Sequence, residues 1–205
     1  TEANPDSTSE GIFVFLGKSA IANPNVGQSL QVTGRVDEFR PGSDSNNLTV
    51  TQINATVSGA SVGESASLGT ITPTIIGNGG RTQPTTFIQN DFTAAGNVET
   101  GGDFDPTTEG IDFYESLEGM LVQVNNPVVV GPTNQFGEFY VLPDNGANAT
   151  GRTNRGGLAI SATDFNPERI QIDDTLLNPP SNKSLSPLTN VADKLGTVTG
   201  IVDYS

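Results

Sequence analysis

Residues 29–39, SLQVTGRVDEF, alternate apolar and polar side chains along most of their length. Because successive side chains of a β-strand point to opposite faces, the pattern predicts a strand with Leu30, Val32 and Val36 facing inward. Gly34 interrupts the alternation, and a glycine inside a strand often marks a bulge or a sharp bend. The stretch therefore predicts β structure that bends at Gly34.

Short runs of this kind recur along the chain, and turn-forming Pro, Gly and Asn residues separate them. They lie at residues 11–16, 48–53, 120–124, 128–130, 138–142, 158–160, 169–172 and 198–202. No segment keeps a helical period over three turns, and the best helix candidate, residues 110–118, is short. The sequence therefore predicts an all-β protein.

Two short sequence words occur twice, in the same order. Residues 10–14, EGIFV, resemble residues 118–122, EGMLV, and we call these the EG words. Residues 32–37, VTGRVD, resemble residues 198–203, VTGIVD, and we call these the VTG words. Chance similarity is the alternative, since valine and threonine are common in strands. The shared order favours a duplicated β module with the two VTG words in equivalent strands.

The two copies predict a first module at residues 1–56 and a second at residues 110–205. Between them, residues 57–109 are rich in Gly, Thr and Pro and predict a long irregular connection. Such a connection is uncommon inside a compact domain unless it is functional or held elsewhere. We expect apolar side chains to hold this one: Ile75, Ile76, Phe87, Ile88 and Phe92.

The composition excludes several classes of function. The chain contains no His and no Cys, which excludes Ser-His-Asp triads, thiol catalysis, thiolate zinc sites and disulfides. Its formal net charge of −14 disfavours non-specific binding to nucleic acid or to an anionic membrane. No apolar run approaches the roughly 20 residues of a membrane-spanning helix. The absence of a leader pattern predicts a mature protein or a piece of a longer one.

The densest group of carboxylates lies just before and within the candidate helix. Carboxylate and carbonyl oxygens are the ligands that Ca²⁺ prefers, so a calcium site is one interpretation of this segment. The alternative is an acidic, solvated loop whose anions favour the N-terminus of a short helix. The spacing does not fit the EF-hand template, since Pro106, Thr107 and Thr108 occupy positions that the template reserves for other residues. The predicted ligands are Asp103, Asp105, Glu109, Asp112 and Glu115.

A second carboxylate group comprises Asp173 and Asp174, with Asp164 and Glu168 nearby. Paired carboxylates can hydrolyse glycosides, but their separation in space does not follow from this sequence, and we disfavour that activity. Because Asp173 and Asp174 follow a predicted strand, a structural turn is the favoured interpretation.

The clustered basic residues are Arg152 and Arg155, in the glycine-rich stretch at residues 151–157. Arginine side chains bind phosphates, and exposed aromatic rings stack on bases, so these arginines together with Phe136 and Tyr140 form a candidate nucleic-acid contact. A solvated turn and buried strand positions are the alternative. The scarcity of Lys and Arg, nine in all, favours weak or absent binding of nucleic acid.

Several stretches together resemble one known family: residues 8–15, 26–39, 114–122, 136–138, 169–174 and 198–205. They are similar to the OB-fold-like region of large bacterial extracellular nucleases, upstream of an endonuclease/exonuclease/phosphatase domain, and residues 96–115 resemble the cyanobacterial branch. The resemblance implies two OB-like modules, each a small Greek-key barrel, with the first module incomplete because it begins at its EG word. The family's catalytic domain uses His and carboxylates around a divalent metal, so the resemblance places no catalytic residue in this His-free chain.

Two hypotheses follow for function. In the first, the chain is a non-catalytic OB-like module of a secreted bacterial nuclease or phosphoesterase, partnered with the C-terminal catalytic domain of the same polypeptide. In the second, it is a structural or adhesive surface protein that self-associates through exposed strand edges. Both predict an extracellular or cell-surface protein without a membrane span, with no certain cofactor and with Ca²⁺ as the one candidate.

Overall fold

A computed structural model describes residues 6–18, 24–43, 47–92, 101–177 and 184–204. Within these ranges the chain forms eleven short strands and one six-residue helix, α1 (Gly110–Glu115), which confirms the all-β prediction. The strands are β1 (Phe13–Phe15), β2 (Leu30–Thr33), β3 (Arg35–Phe39), β4 (Val50–Asn54), β5 (Ser61–Glu64), β6 (Thr74–Ile76), β7 (Leu121–Val124), β8 (Val128–Gly131), β9 (Phe139–Leu142), β10 (Ile170–Ile172) and β11 (Val198–Ile201). Residues 96–100, part of the family resemblance, lie outside the described residues. None of the described helices has the length and hydrophobicity that crossing a bilayer requires.

The strands form four small sheets. Their strand orders are β1-β4-β3, β2-β5, β11-β7-β6 and β10-β9-β8. The β1-β4 and β6-β7 pairs are parallel, whereas β2-β5, β3-β4, β8-β9 and β9-β10 are antiparallel. The description of the modules as OB-like barrels stays a prediction.

The chain divides into two compact units that differ from the predicted modules. The first unit comprises Thr1–Pro73, Leu117–Leu121 and Ile201–Ser205, and the second comprises Thr74–Ser116 and Val122–Gly200. The predicted irregular connection at residues 57–109 instead contains β5, in the first unit, and β6, in the second. Each unit is therefore built from segments that are distant in sequence.

The sheet β10-β9-β8 is covered on both faces and supplies the core of the second unit. On one face Val129, Phe139 and Val141 pack together, with Ile170, Ile172 and Leu195 against them. On the other face Val128, Val130 and Leu142 form a second cluster with Tyr140, Ala149 and Leu158. Since β9 alternates its side chains between the two clusters, its apolar run is buried on both sides.

Gly34 marks a sharp change in the first unit, as the sequence predicts. Residues on its two sides belong to β2 and β3, which lie in different sheets. Leu30 and Val32 are half-buried, but Val36 is 67% exposed, so the prediction that Val36 faces inward is wrong. The alternation identified the strands, whereas the burial of one face depends on what packs against it.

The two EG words lie against each other in the first unit. The hydroxyl of Ser9 donates to the backbone oxygen of Glu118, and a Cβ on Gly11 would lie only 2.2 Å from the carbonyl carbon of Gly119. The two VTG words are not equivalent, because Val36 and Asp37 pair with β4 whereas β11 pairs with β7, the strand of the second EG word. The expectation of equivalent VTG strands is therefore wrong.

The apolar residues expected to hold the connection have different environments. Ile76, in β6, is 1% exposed, but Phe87, Ile88 and Phe92 are each at least 40% exposed. These three line an open apolar groove in the second unit together with Phe165. Ile76 is therefore a core residue. The prediction that Phe87, Ile88 and Phe92 hold the connection by packing is wrong, because their side chains are exposed.

Candidate functional site

Carboxylates that accept backbone N–H groups are the recurring polar feature of the second unit, and Glu118 adds one in the first unit. Many of these side chains accept a hydrogen bond from the backbone of a segment that is distant in sequence. They therefore stabilise loops that lack regular secondary structure. The residues concerned are Asp91, Asp105, Glu109, Asp112, Glu118, Asp144, Asp164, Glu168, Asp173, Asp174 and Asp193. Hydrogen bonds with an ionised acceptor are shorter and stronger than neutral ones, which suits them to this role.

Glu109 is the most buried carboxylate of the acidic segment. It precedes α1 as the N-cap residue, its side chain is 1% exposed, and its Oε1 accepts the N–H of Asn90 at 2.8 Å. Its Oε2 is buried without a hydrogen-bond partner. Burial raises the pKa of Glu109, and the neighbouring charges of Asp91 and Asp112 raise it further. The interpretation of this segment as a solvated loop is therefore wrong at Glu109.

The other predicted calcium ligands do not gather around one point, and Asp105 and Asp112 each make hydrogen bonds of their own. Asp105 accepts the N–H of Thr107 at 3.0 Å and the hydroxyl of Thr108 at 2.7 Å, and the hydrogen bonds from these two threonines lower the pKa of Asp105. Asp112 accepts the N–H of Asp105 at 2.6 Å, and Asp103 is exposed.

The structure brings Glu109 and Asp112 close enough to interact, and Glu115 lies at the last position of α1. Within the described part of the chain, no three acidic side chains form a group that would hold a metal ion. Calcium binding by the acidic segment stays a prediction.

The second carboxylate group is confirmed as structural at Asp173. Its Oδ1 accepts the N–H of Thr175 at 2.7 Å, which is the expected turn. Asp174 is buried, and its Oδ2 accepts the hydroxyl of Ser184 and the N–H groups of Leu185 and Ser186 at 2.5–2.8 Å. These bonds, led by that of Ser184, lower the pKa of Asp174.

Removing the carboxylate of Asp174 is expected to make stability less dependent on pH. A lowered folded-state pKa stabilises the protein above the unfolded pKa, near 3.9, and this stabilisation is lost as the pH falls through the folded value. Asp174→Asn should therefore lower Tm at pH 7, and the difference from the parent should shrink below about pH 4.

Thermal melts of both proteins from pH 7 to pH 2.5 provide the measurement. Asp173→Asn is the matched control, because the neighbouring carboxylate is exposed and closes only a local turn. A Tm difference for Asp174→Asn that stays constant across this range would contradict the assignment.

The candidate nucleic-acid contacts do not converge on one place. Phe136 precedes β9 and is 69% exposed, whereas Arg152 donates to the backbone oxygen of Asn145, beyond the other end of β9. Arg155 is exposed in the turn that Thr153 and Gly157 close. Phe136 and Arg152 therefore lie beyond opposite ends of β9, with Tyr140 between them in the strand, and contact of the four residues with nucleic acid stays a prediction.

Sequence reasoning missed Arg169 as a partner of the aromatic residues. Its guanidinium lies over the ring of Tyr140, 4.5 Å from the centroid. One face of Tyr140 is therefore occupied, which leaves Phe136 as the more accessible ring of the predicted pair. The alternation of side chains predicts that Arg169 and Gln171 lie on the same face of the chain. The sequence does not show that Gln171 pairs with Tyr140 of β9, which is what brings Arg169 to the ring.

Sequence reasoning also missed the surroundings of Glu168. This side chain is 1% exposed, and its Oε1 accepts the N–H of Thr150 at 3.0 Å. Burial raises the pKa of Glu168. It lines a small cavity together with Gln83 and Asp144, neither of which carries a sequence signal beyond turn propensity. The link between these residues arises only when β6, β9 and the turn before β10 come together.

Comparisons with known proteins give one family assignment. A search of curated proteins and a search of solved structures both find no significant match. A family model described as a domain of unknown function, DUF8508, matches residues 75–205. This match includes all of the second unit except Thr74. Because it covers well over half of the chain, the protein belongs to the DUF8508 family.

Proposed function

We propose that this chain is a non-catalytic, OB-like β module of a secreted bacterial nuclease or phosphoesterase. In this role it orients the catalytic domain of the same polypeptide or helps to present the substrate. The sequence resemblance supports both the parent protein and an extracellular or cell-surface location.

The use of the buried carboxylates carries the non-catalytic part of the proposal. A general base or a metal ligand needs an oxygen that can reach substrate or ion. Here Glu118 holds the N–H of Thr51 at 3.1 Å, and Asp174 holds three donors from residues 184–186. Oxygens committed to backbone amides stabilise loops, so these side chains contribute to the fold of the module.

The distribution of charge limits how such a module contacts nucleic acid. The chain carries 23 acidic and nine basic residues, so its overall field repels a polyanion. Arg152 and Arg155 are exposed, whereas Arg35 is engaged by Asp37 through two hydrogen bonds of 2.5 and 2.9 Å. The module therefore presents substrate through few phosphate contacts, in support of a separate catalytic domain.

A weak, salt-dependent affinity for single-stranded DNA is the expected result. At low salt the intact chain should bind a labelled oligonucleotide, and Arg152→Ala with Arg155→Ala should reduce the slope of log K against log salt by about 1 to 2. Fluorescence polarisation measures both. Arg35→Ala is the matched control, because this arginine is already paired, and it should leave the slope unchanged.

The same preparation is expected to hydrolyse neither DNA, RNA nor an aryl phosphate with Mg²⁺, Mn²⁺ or Ca²⁺. Metal-dependent turnover that follows the chain through successive columns would overturn the non-catalytic role. Equal salt slopes for the double variant and the parent would remove the two arginines from substrate presentation.

Exposed apolar residues on edge strands favour a second candidate function, self-association as a structural surface protein. Phe13 and Phe15 lie on β1 and are 52% and 43% exposed, and Phe39 on β3 is 51% exposed. Strands β1 and β3 are the edges of their sheet, and exposed apolar edges favour pairing between chains. Sedimentation that depends on concentration, without any DNA binding at low salt, would favour this candidate over the first.

A further inference from the structure

A small cavity in the second unit is lined by both polar and apolar residues. We call it the Glu168 cavity and define it by four side chains: Gln83, Asp144, Asn148 and Glu168. Its volume is about 20 Å³, which is room for one water-sized guest. The cavity therefore suits an atom or an ion and is too small for an organic ligand.

Two buried oxygens beside this cavity have no hydrogen-bond partner. They are Oε2 of Glu168 and Oε1 of Gln83, on side chains that are 1% and 6% exposed. The other oxygen of Glu168 accepts the N–H of Thr150, so that carboxylate is held in place while half of it stays unsatisfied. Buried polar atoms are normally paired, so two unpaired oxygens around one cavity mark a place where a bound guest would satisfy both.

The charge around the cavity is negative. Asp144 contributes a second carboxylate, whose Oδ2 accepts the N–H of Asn78 at 2.6 Å, and the charge of Asp164 acts on Glu168 from nearby. The residues that line this cavity include no Lys or Arg, so the lining supplies no positive charge beside the carboxylates of Glu168 and Asp144. A neutral water satisfies hydrogen bonds but leaves their negative charge in place, whereas a divalent cation balances both carboxylates.

The turn at one side of the cavity has an unusual backbone. Asp144, Asn145 and Asn148 adopt left-handed conformations, with φ of 53°, 57° and 65°. Asp and Asn tolerate this region better than other residues do. The turn places Asp144 and Asn148 at the cavity, and both of these residues have a positive φ.

We propose that the Glu168 cavity binds one Ca²⁺ ion, with Glu168 Oε2 and Gln83 Oε1 as side-chain ligands and Asp144 as the second balancing charge. Ca²⁺ takes oxygen ligands in irregular geometry, as an uneven loop provides. Mg²⁺ requires near-octahedral geometry at short distances and loses its waters reluctantly. We therefore expect the site to prefer Ca²⁺.

Terbium luminescence tests the proposal directly, because Tb³⁺ replaces Ca²⁺ and is sensitised by nearby aromatic rings. The chain has no Trp and three Tyr. The hydroxyl of Tyr114 donates to the backbone oxygen of Pro167, and its pKa is raised by burial and by the charge of Glu168. Tb³⁺ in the cavity should therefore emit on tyrosine excitation, and CaCl₂ should displace it where MgCl₂ does not.

Four variants separate this site from the acidic segment. Glu168→Gln should weaken Ca²⁺ binding by more than about tenfold, and Gln83→Met should weaken it in the same direction. Asp103→Asn combined with Asp105→Asn should leave the affinity unchanged. Tyr114→Phe should remove the sensitised emission while calorimetry still detects Ca²⁺ binding.

Three outcomes would overturn the proposal. The first is equal melting temperatures of the parent in CaCl₂ and in NaCl of equal ionic strength. The second is Ca²⁺ affinity that the double aspartate variant abolishes and Glu168→Gln leaves intact, which would place the ion at the acidic segment instead. The third is a crystal structure grown with CaCl₂ in which the cavity holds water only. None of these outcomes bears on whether the chain is a nuclease-associated module.

Discussion

Replacing Phe113 by alanine is expected to lower the free energy of unfolding by about 4 kcal/mol. Phe113 lies in α1 and is 1% exposed. The guanidinium of Arg81 lies 5.2 Å from the centroid of its ring, and the ring of Tyr114 meets it edge-on at the same distance. Truncation therefore removes a buried ring, leaves a cavity and deprives Arg81 of a cation–π partner.

Urea unfolding followed by far-UV circular dichroism and by tyrosine fluorescence measures this loss. Tyr114 and Tyr140 both lie in the second unit, so tyrosine emission reports mainly on the unit that contains Phe113. Phe136→Ala is the matched control, because that ring is 69% exposed and its removal should change stability by less than about 0.5 kcal/mol. Similar midpoints for the two variants would contradict the assignment of Phe113 to the core.

Replacing Gly11 by alanine is expected to destabilise the first unit by about 3 kcal/mol. The added Cβ would lie 2.2 Å from the carbonyl carbon of Gly119 and 2.4 Å from both the oxygen of Glu118 and the nitrogen of Met120. These are backbone atoms, which cannot swing aside as the end of a long side chain does. The two EG words must therefore separate to admit a single methyl group.

Gly63→Ala in β5 is the control for this variant. It lies in the same unit, and a Cβ at that position meets no atom within 4 Å. Because alanine restricts the unfolded chain more than glycine does, this change should be neutral or slightly stabilising. Thermal melts that show the same Tm for both glycine variants would exclude close packing of the two EG words.

The sequence predicts local structure well where a pattern is complete within a few residues. The alternation around Gly34 predicts two strand segments and the break between them, and the weak helical period at residues 110–118 predicts α1. Neither pattern contains the identity of the neighbour. Strand β1 pairs with β4 across nearly forty residues, which no local pattern predicts. The alternation likewise does not say that Val36 is exposed.

The candidate site was harder to predict, because its acidic residues have properties that depend on distant amides. Charged side chains are usually solvated, so nothing in the sequence marks Glu109 or Glu168 as buried. Their burial depends on the N–H groups of Asn90 and Thr150, which become available only after folding. Gln83 has even less signal, since an isolated glutamine in a Pro- and Thr-rich stretch is unremarkable until Glu168 lies beside the same cavity.

The discontinuity of the first unit has a consequence for synthesis on the ribosome. This unit contains the earliest residues of the chain, yet Gly119 donates its N–H to the oxygen of Val202, and Val202 donates to Met120. A nascent chain emerges from its N-terminus, so these bonds cannot form until almost all 205 residues have left the exit tunnel. The second unit itself extends to Gly200, so it is completed at nearly the same point. Among the segments of the first unit, the one that is synthesised first therefore stays incomplete until the last one, Ile201–Ser205, has emerged.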